Sequence, residues 1–418
     1  MIAVRALYDL MRRPYADRDR IELLRLAKLR SLLTHAKELA PFYARTLAGI
    51  DVAGFATIDD VRRLPIVKPA ELRAQPTDDL TAAHLDRSQL VRDSTSGSSG
   101  APFRFYLSQE EFTLRQLRFF RCLFRHGLKP WWRWASYYPA PETRGSSPIQ
   151  RLVANRIRRI PIGLPVDEQV RRVLAIEPQL VQGLTSTIDV LATRMLEMGV
   201  TSRHTKLLNT GGEVFPPGLT DKVQAVFGCR VVDQYGGNEV GPVGYTCPHC
   251  DLRYFDDDSY IVEILDENNN AVGLGERGRV VLTALDQLTT PIVRLDIGDY
   301  VTRPKDAVRC KNRFTHFVSV DGREADRITL PAGRVLLVQH VIAAGANTEG
   351  IRRLQVVQKA AGDIVCRYCM APGSSRERVE RSIRESLGFS VAEPLFFELC
   401  DDIPVEPSGK FRMIKKER

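Results

Sequence analysis

Seven consecutive residues, Ser94-Thr95-Ser96-Gly97-Ser98-Ser99-Gly100, carry only hydroxyls and glycines. Backbone N–H groups left accessible by glycine, with hydroxyl donors beside them, form a concave nest suited to phosphate oxygens. A flexible Ser/Gly linker has the same composition, so the run alone does not separate the two readings. Four later segments place polar or charged side chains beside glycine. They are Asn209-Thr210-Gly211-Gly212-Glu213, Gln234-Tyr235-Gly236-Gly237-Asn238-Glu239, Arg294-Leu295-Asp296-Ile297-Gly298-Asp299 and Pro407-Ser408-Gly409-Lys410-Phe411-Arg412. Together these segments share the Gly, Ser, Asp, Glu and Lys character of a nucleotide site. Taken singly, each has a plain alternative: a turn cap at Asp299, a surface carboxylate at Glu239, an exposed tail lysine at Lys410.

The elements that must position these groups follow from periodicity. Residues 1–46 predict helix, with Leu23, Leu24, Leu26, Leu29, Leu32 and Leu33 on one broad face. A second helix is expected after Thr57, and a third over 108–127, opened by Ser108-Gln109-Glu110-Glu111 and stopped by Gly127. Between 178 and 235 strand-like and helical segments alternate: 178–183 strand, 186–198 helix, 205–209 strand, 217–227 helix, 229–235 strand. That alternation predicts a mostly parallel sheet with crossover helices, and ligands gather at the carboxyl ends of such strands. From 254 to 301 the chain becomes β-rich, with strands expected at 260–264, 278–282 and 291–294. After Asp321-Gly322-Arg323 it restarts as a compact α+β unit.

The chain has 418 residues, 44% hydrophobic and 27% charged, a folded globular composition with room for two or three structural units. Its net charge of +9 is dispersed over short clusters rather than a basic stripe, which argues against nucleic-acid binding and suits a polyanionic small substrate. No stretch approaches the ~20 apolar residues of a membrane span, and the amino terminus lacks a secretory pattern, so no membrane insertion and a cytoplasmic location are expected.

In order and spacing these motifs resemble the adenylate-forming superfamily of acyl-CoA synthetases, adenylation domains and luciferases. Within it, they resemble the phenylacetate–CoA ligase and capsule-type adenylyltransferase branch. Leu64-Pro65-Ile66-Val67-Lys68 is similar to the amino-terminal signature of that branch. The resemblance implies an α/β fold. A large domain over 1–322, of mixed, mostly parallel sheets with helices, would include a β-rich subdomain at 254–301; a small mobile α+β domain would occupy 323–418. It implies ATP and Mg²⁺ as cofactors, a carboxylic acid as substrate, and acyl-adenylate and pyrophosphate as first products. Coenzyme A or a phosphopantetheinyl carrier-protein thiol would be the acceptor. By resemblance Ser94 to Gly100 cradle phosphates, and Gly211, Gly212 and Glu213 line the adenine pocket. Tyr235, within the stretch Gln234 to Asn238, stacks on the base. Glu239 holds Mg²⁺, Asp299 accepts the ribose hydroxyls, Arg323 sits beside the ribose or phosphate at the start of the hinge, and Lys410 is the catalytic cation.

Three positions depart from the family pattern: Ala101 where a lysine is usual, Asn238 where a threonine is usual, and Ala325 at the acidic hinge position. They leave two other readings open, transfer of the acyl group to an amine or hydroxyl, and a nucleotide-binding regulatory protein with degenerate chemistry. A homodimer is also left open by the resemblance. The acyl-pocket candidates are Tyr137, Tyr138, Gly183 and Thr185; the neighbouring tryptophans Trp131, Trp132 and Trp134 are better read as core. Cys247 and Cys250 have zinc-knuckle spacing. Cys310 lies where some relatives carry further cysteines, and His249 or His316 is open as the fourth ligand of a structural zinc.

Overall fold

A computed structural model describes residues 2–94, 103–137, 155–216, 218–323, 326–330, 334–406 and 410–417. Candidate residues Thr95 to Gly100, the departures Ala101 and Ala325, and Tyr138 lie outside them. The fold is mixed α/β, and the chain divides into two compact units: residues 1–128 with 234–320, and residues 129–233 with 321–418.

In the first unit a helix spans Arg18–Leu39. Its buried stripe is Ile21, Arg25, Leu29, Leu32, Leu33 and Ala36, a spacing of three and four, so Leu23 points outward and is 69% exposed. The leucine face expected from the sequence is therefore rotated, and its amino-terminal part is built by isoleucine and arginine. The segment after Thr57 is a short 3-10 helix, Ile58–Arg63, whose Asp60 carboxylate accepts the Ala56 and Thr57 amides. The helix Gln109–Arg125 starts where expected. Ser108 Oγ accepts the Glu111 amide at 3.1 Å, and the Glu111 carboxylate accepts the Ser108 amide at 2.8 Å.

The β-rich part of this unit is an antiparallel sheet in the order Tyr260–Leu265, Arg277–Ala284, Leu295–Thr302, Ser319–Arg323. The strand expected at 291–294 is displaced to Leu295–Thr302. Arg294 has φ 48°, a left-handed conformation outside the extended region, so the strand begins only after it. The backbone of Val67 brackets this start: its amide donates to Arg294 O and its carbonyl accepts the Asp296 amide. Short antiparallel strands Gly241–Thr246, Arg253–Phe255 and His316–Phe317 also belong to the unit, as does the antiparallel pair Val91–Ser94 and Arg104–Leu107.

The second unit contains parallel strands in the order Ile157–Arg159, Trp134–Ser136, Leu180–Leu184, Leu207–Gly211. Helices Val166–Ile176, Thr185–Glu197 and Leu219–Phe227 share a core with them, through Val170, Ile188, Leu191, Val223 and Phe227. Here the alternation read from the sequence is realised as parallel pairing. The strand Arg230–Gly237 runs from this unit into the first. A separate core built from residues between Ile328 and Ile414 holds the carboxyl-terminal sheet, in the order Phe396–Leu399, Ile364–Met370, Ile351–Gln358, Ile414–Lys416. Helices Val338–Asn347 and Arg376–Ser386 accompany that sheet. No helix of the described residues is long and apolar enough to cross a membrane.

Candidate active site

In the second unit the strand Leu207–Gly211 ends in a sharp turn at Gly212, φ 82°, a left-handed conformation that favours glycine. A Cβ at Gly212 would stand 3.3 Å from Leu184 and 3.8 Å from Lys410 Cε. The Gly-Gly turn and the terminal lysine are thus neighbours, although 198 residues separate them. Glu213 fastens that approach. One of its carboxylate oxygens accepts the Phe411 amide at 2.8 Å and the Ser186 hydroxyl at 3.1 Å, and the other accepts the Ser186 amide at 2.7 Å. Ser186 lies in the first turn of the helix Thr185–Glu197, where free amides favour a negative charge. Burial pushes the Glu213 carboxyl above its ordinary range, opposed by the bonds from Ser186 and Phe411 and by the Lys410 charge. Below the turn, Thr210 Oγ1 donates to Thr185 Oγ1 at 3.0 Å, with both threonines buried.

In the first unit Tyr235 is buried and its hydroxyl donates to Asp299 Oδ2 at 3.1 Å. The Tyr235 ring packs edge-on against Phe255 and Phe317, which stack on each other at 4.2 Å. Asp299 is held inside its strand just after Gly298, whose φ of 75° kinks the chain there. Gly236 cannot take a side chain, since a Cβ would come within 2.3 Å of the Gly241 carbonyl. Beyond it the chain turns through Gly237, Asn238 and Glu239. The half-buried Glu239 carboxylate lies over Gly237, about where a Cβ there would be met at 3.1 Å. Asn238 Nδ2 donates to Ser94 O at 3.0 Å, tying this turn to the first residue of the Ser/Gly run.

No protein-family model matches the chain. Phenylacetate-coenzyme A ligase of Thermus thermophilus is 22% identical over 358 residues, which cover 83% of this chain and 80% of that protein. The structure of a 2-hydroxyisobutyryl-CoA ligase in the postadenylation state, in complex with R3-HIB-AMP, matches with a TM-score of 0.79. It is 21% identical and the match covers 97% of this chain and 92% of that one. The structure of the same ligase with 2-HIB-AMP and CoA in the thioesterification state matches with a TM-score of 0.66, at the same identity and coverage. The chain shares the fold of these structures.

Several residues around these motifs were not legible in the sequence. Arg115, Arg118 and Arg121 occupy the buried face of the helix Gln109–Arg125 at a spacing of three, where the period demands apolar side chains. Arg115 donates to the Asn238 and Glu239 carbonyls at 2.9 and 2.8 Å, so a buried guanidinium shapes the turn that presents Glu239. Desolvation lowers the Arg115 pKa from its usual value. Three arginines in register on one face were the available signal. Lys68 and Asp296 pair at 2.7 Å, and Arg279 meets the same carboxylate at 2.5 Å; the Leu64–Lys68 signature is therefore a brace for the strand that carries Asp299.

Among the acyl-pocket candidates, Tyr137 is buried with no hydrogen-bond partner for its hydroxyl among the described residues, and burial raises its pKa. Gly183 leaves room for it, since a Cβ there would sit 3.1 Å from Tyr137 Cβ. Trp134 is core as expected, but Trp131 is 65% exposed, because it lies in the turn before the strand Trp134–Ser136. Arg323 ends the strand Ser319–Arg323 and is exposed. Cys247, Cys250 and Cys310 are brought together, and all eight cysteines are unbridged.

Proposed function

We propose that the chain activates a carboxylic acid with ATP and passes the acyl group to coenzyme A. The observation that carries the reading is Lys410 beside the Gly211-Gly212-Glu213 turn, fastened there by the Glu213–Phe411 bond. A carboxylate is a poor nucleophile toward an anionic phosphate, so positive charge must meet the developing charge at the α-phosphate. Lys410 supplies it as a compact, strongly hydrated cation on a flexible stem. The substrate carboxylate oxygen attacks the α-phosphorus, the bond to the bridging oxygen breaks, and pyrophosphate leaves with that electron pair. In the second step the coenzyme A thiolate attacks the acyl carbonyl and AMP departs, its phosphate oxygen taking the electrons of the broken C–O bond.

The remaining roles follow the side-chain chemistry. Tyr235 presents a ring fixed by Phe255 and Phe317 for stacking against a base, and Asp299 presents acceptor oxygens for ribose hydroxyls. Ser94 and the hydroxyl-glycine run after it would contact the β- and γ-phosphates. The Glu239 carboxylate is a hard oxygen donor that fits Mg²⁺; the ion, when bound, would neutralise phosphate charge. The segment 323–418 would act as the small mobile domain, exchanging Lys410 for the thiol path between the two steps.

The test is mass-spectrometric detection of acyl-CoA with the full chain, ATP, Mg²⁺, coenzyme A and panels of aromatic, aliphatic, hydroxy and amino acids. An acid-dependent thioester supports the reading. Acid-dependent AMP formation without a thioester moves the acceptor to a carrier thiol, an amine or a hydroxyl. ATP left unconsumed by every acid overturns the reading and leaves a nucleotide-binding regulatory protein.

A further inference from the structure

The hairpin between Gly241–Thr246 and Arg253–Phe255 closes through Cys247-Pro248-His249-Cys250, and the loop Arg303 to Thr315 returns Cys310 and His316 to the same place. The ligand atoms of Cys247, Cys250, Cys310 and His316 all lie within 4.8 Å of one another. We propose that these four residues form a tetrahedral Cys3His zinc site that clamps the loop carrying Cys310, and the strand His316–Phe317 that follows it, onto the hairpin.

The dimensions are those of an assembled site. Zinc–sulfur bonds of ~2.3 Å at tetrahedral angles put two thiolates ~3.8 Å apart, and Cys247 Sγ lies 3.7 Å from Cys310 Sγ. Backbone amides already point at the sulfurs two residues earlier, His249 at Cys247 and Leu252 at Cys250, the pattern that stabilises a knuckle of thiolates. Asn312 Nδ2 adds a third donor near Cys247 at 4.0 Å.

The fourth ligand is chosen by the partners of the two histidines. His249 is engaged elsewhere: its Nε2 bonds the Tyr15 hydroxyl at 2.8 Å and its ring packs against the Tyr15 ring. His316 is buried, and its Nε2 is a buried polar atom without a hydrogen-bond partner among the described residues. The His316 ring bonds the Phe314 backbone, which leaves Nε2 as the lone-pair nitrogen, the arrangement second-shell partners impose on metal-bound imidazoles. An unpartnered buried nitrogen facing three thiols is costly without a cation and satisfied with one. The chemistry also selects the metal: three thiolates and one imidazole in a closed shell suit zinc rather than the oxygen-seeking Mg²⁺. With no open position, the site is structural. It secures a strand of only two residues, His316–Phe317, paired to Tyr254 and Arg253.

The proposal does not rest on the enzymatic reading. Its test is elemental analysis of the full chain purified under reducing conditions without added metal, together with cobalt substitution. About one zinc per chain is expected, with the visible spectrum of tetrahedral, thiolate-bound cobalt after exchange. Cys310→Ser and His316→Gln should each lower zinc retention against a competing chelator by at least ~10-fold, while His249→Ala retains it. Wild-type chain that takes up no zinc after incubation with the free metal would overturn the site. So would a cobalt spectrum of octahedral type, or full retention by both ligand variants. The cobalt spectrum is read on wild-type protein, so it decides the matter even if a variant fails to fold.

Discussion

Glu213→Ala should cut acid-dependent pyrophosphate exchange by roughly 10- to 100-fold, because Glu213 is what fastens the Lys410 segment to the Gly-Gly turn. The bond from the Phe411 amide to the Glu213 carboxylate is 2.8 Å long and joins an N–H to a charged acceptor. Such a bond contributes about 1.5–3 kcal/mol, and each ~1.4 kcal/mol is tenfold in rate where the reaction draws on it. Glu213→Gln keeps an acceptor oxygen but loses the charge, leaving a neutral bond of ~0.5–1.5 kcal/mol, so its loss should be nearer ~5-fold. Direction with pH follows from the raised Glu213 pKa. Protonation removes the acceptor charge, so exchange should weaken as pH falls, beginning above the range of an ordinary glutamate. The assay is isotopic pyrophosphate exchange at saturating ATP, with a thermal melt to confirm folding and a second assay of thioester formation from supplied acyl-adenylate. The second assay should change little, since that step does not use Lys410. A folded Glu213→Ala protein that exchanges pyrophosphate within about twofold of wild type would refute the reasoning.

Tyr235→Phe should raise the KM for ATP a few-fold with little effect on kcat, by removing the hydroxyl that orients Asp299; Tyr235→Ala, which also removes the ring, should raise it much further. Initial-rate kinetics at varied ATP check both. Asp258→Asn should destabilise the chain by about 3–5 kcal/mol, read as a urea midpoint at pH 8, because it strips the bidentate partner from the fully buried Arg121. Asp256 lies 2.5 Å from the same guanidinium, yet neither of its oxygens accepts a well-angled hydrogen bond. Burial pushes its carboxyl up to about 6. The native state then holds a proton that the unfolded chain has released between about pH 4 and 6, so stability falls as pH rises through that window. Asp256→Asn should flatten that fall in urea midpoints measured from pH 4.5 to 7, whereas an unchanged slope would contradict the assignment.

The parts of this molecule legible in the sequence are those set by local rules. The Ser108–Glu111 capping box, the alternation between 178 and 235, and the glycine-flanked motifs depend on residues a few positions apart. What escaped depends on long-range partners. The Glu213–Phe411 bond spans 198 residues, and the choice of His316 over His249 follows from Tyr15, more than 230 residues away from His249 in the chain. Arg294 defeats the strand pattern for a similar reason. Its left-handed backbone is compensated by a buried ion pair with Glu263 at 2.7 Å and by hydrogen bonds to the carbonyls of Arg62 and Leu64. The buried arginines of the helix Gln109–Arg125 were visible only as a violation of the apolar period. Their partners, Leu10 and residues between Asn238 and Gln287, are all supplied by tertiary structure.

The central claim is that Lys410 serves the attack of a carboxylate on ATP. The most direct measurement is acid-dependent pyrophosphate exchange by the wild-type chain and by Lys410→Ala, side by side, with an acid shown to be a substrate. Exchange is expected in the wild type, with at least a ~100-fold loss in the variant, whose melting behaviour is unchanged. Exchange that survives in Lys410→Ala at near wild-type rate would contradict it.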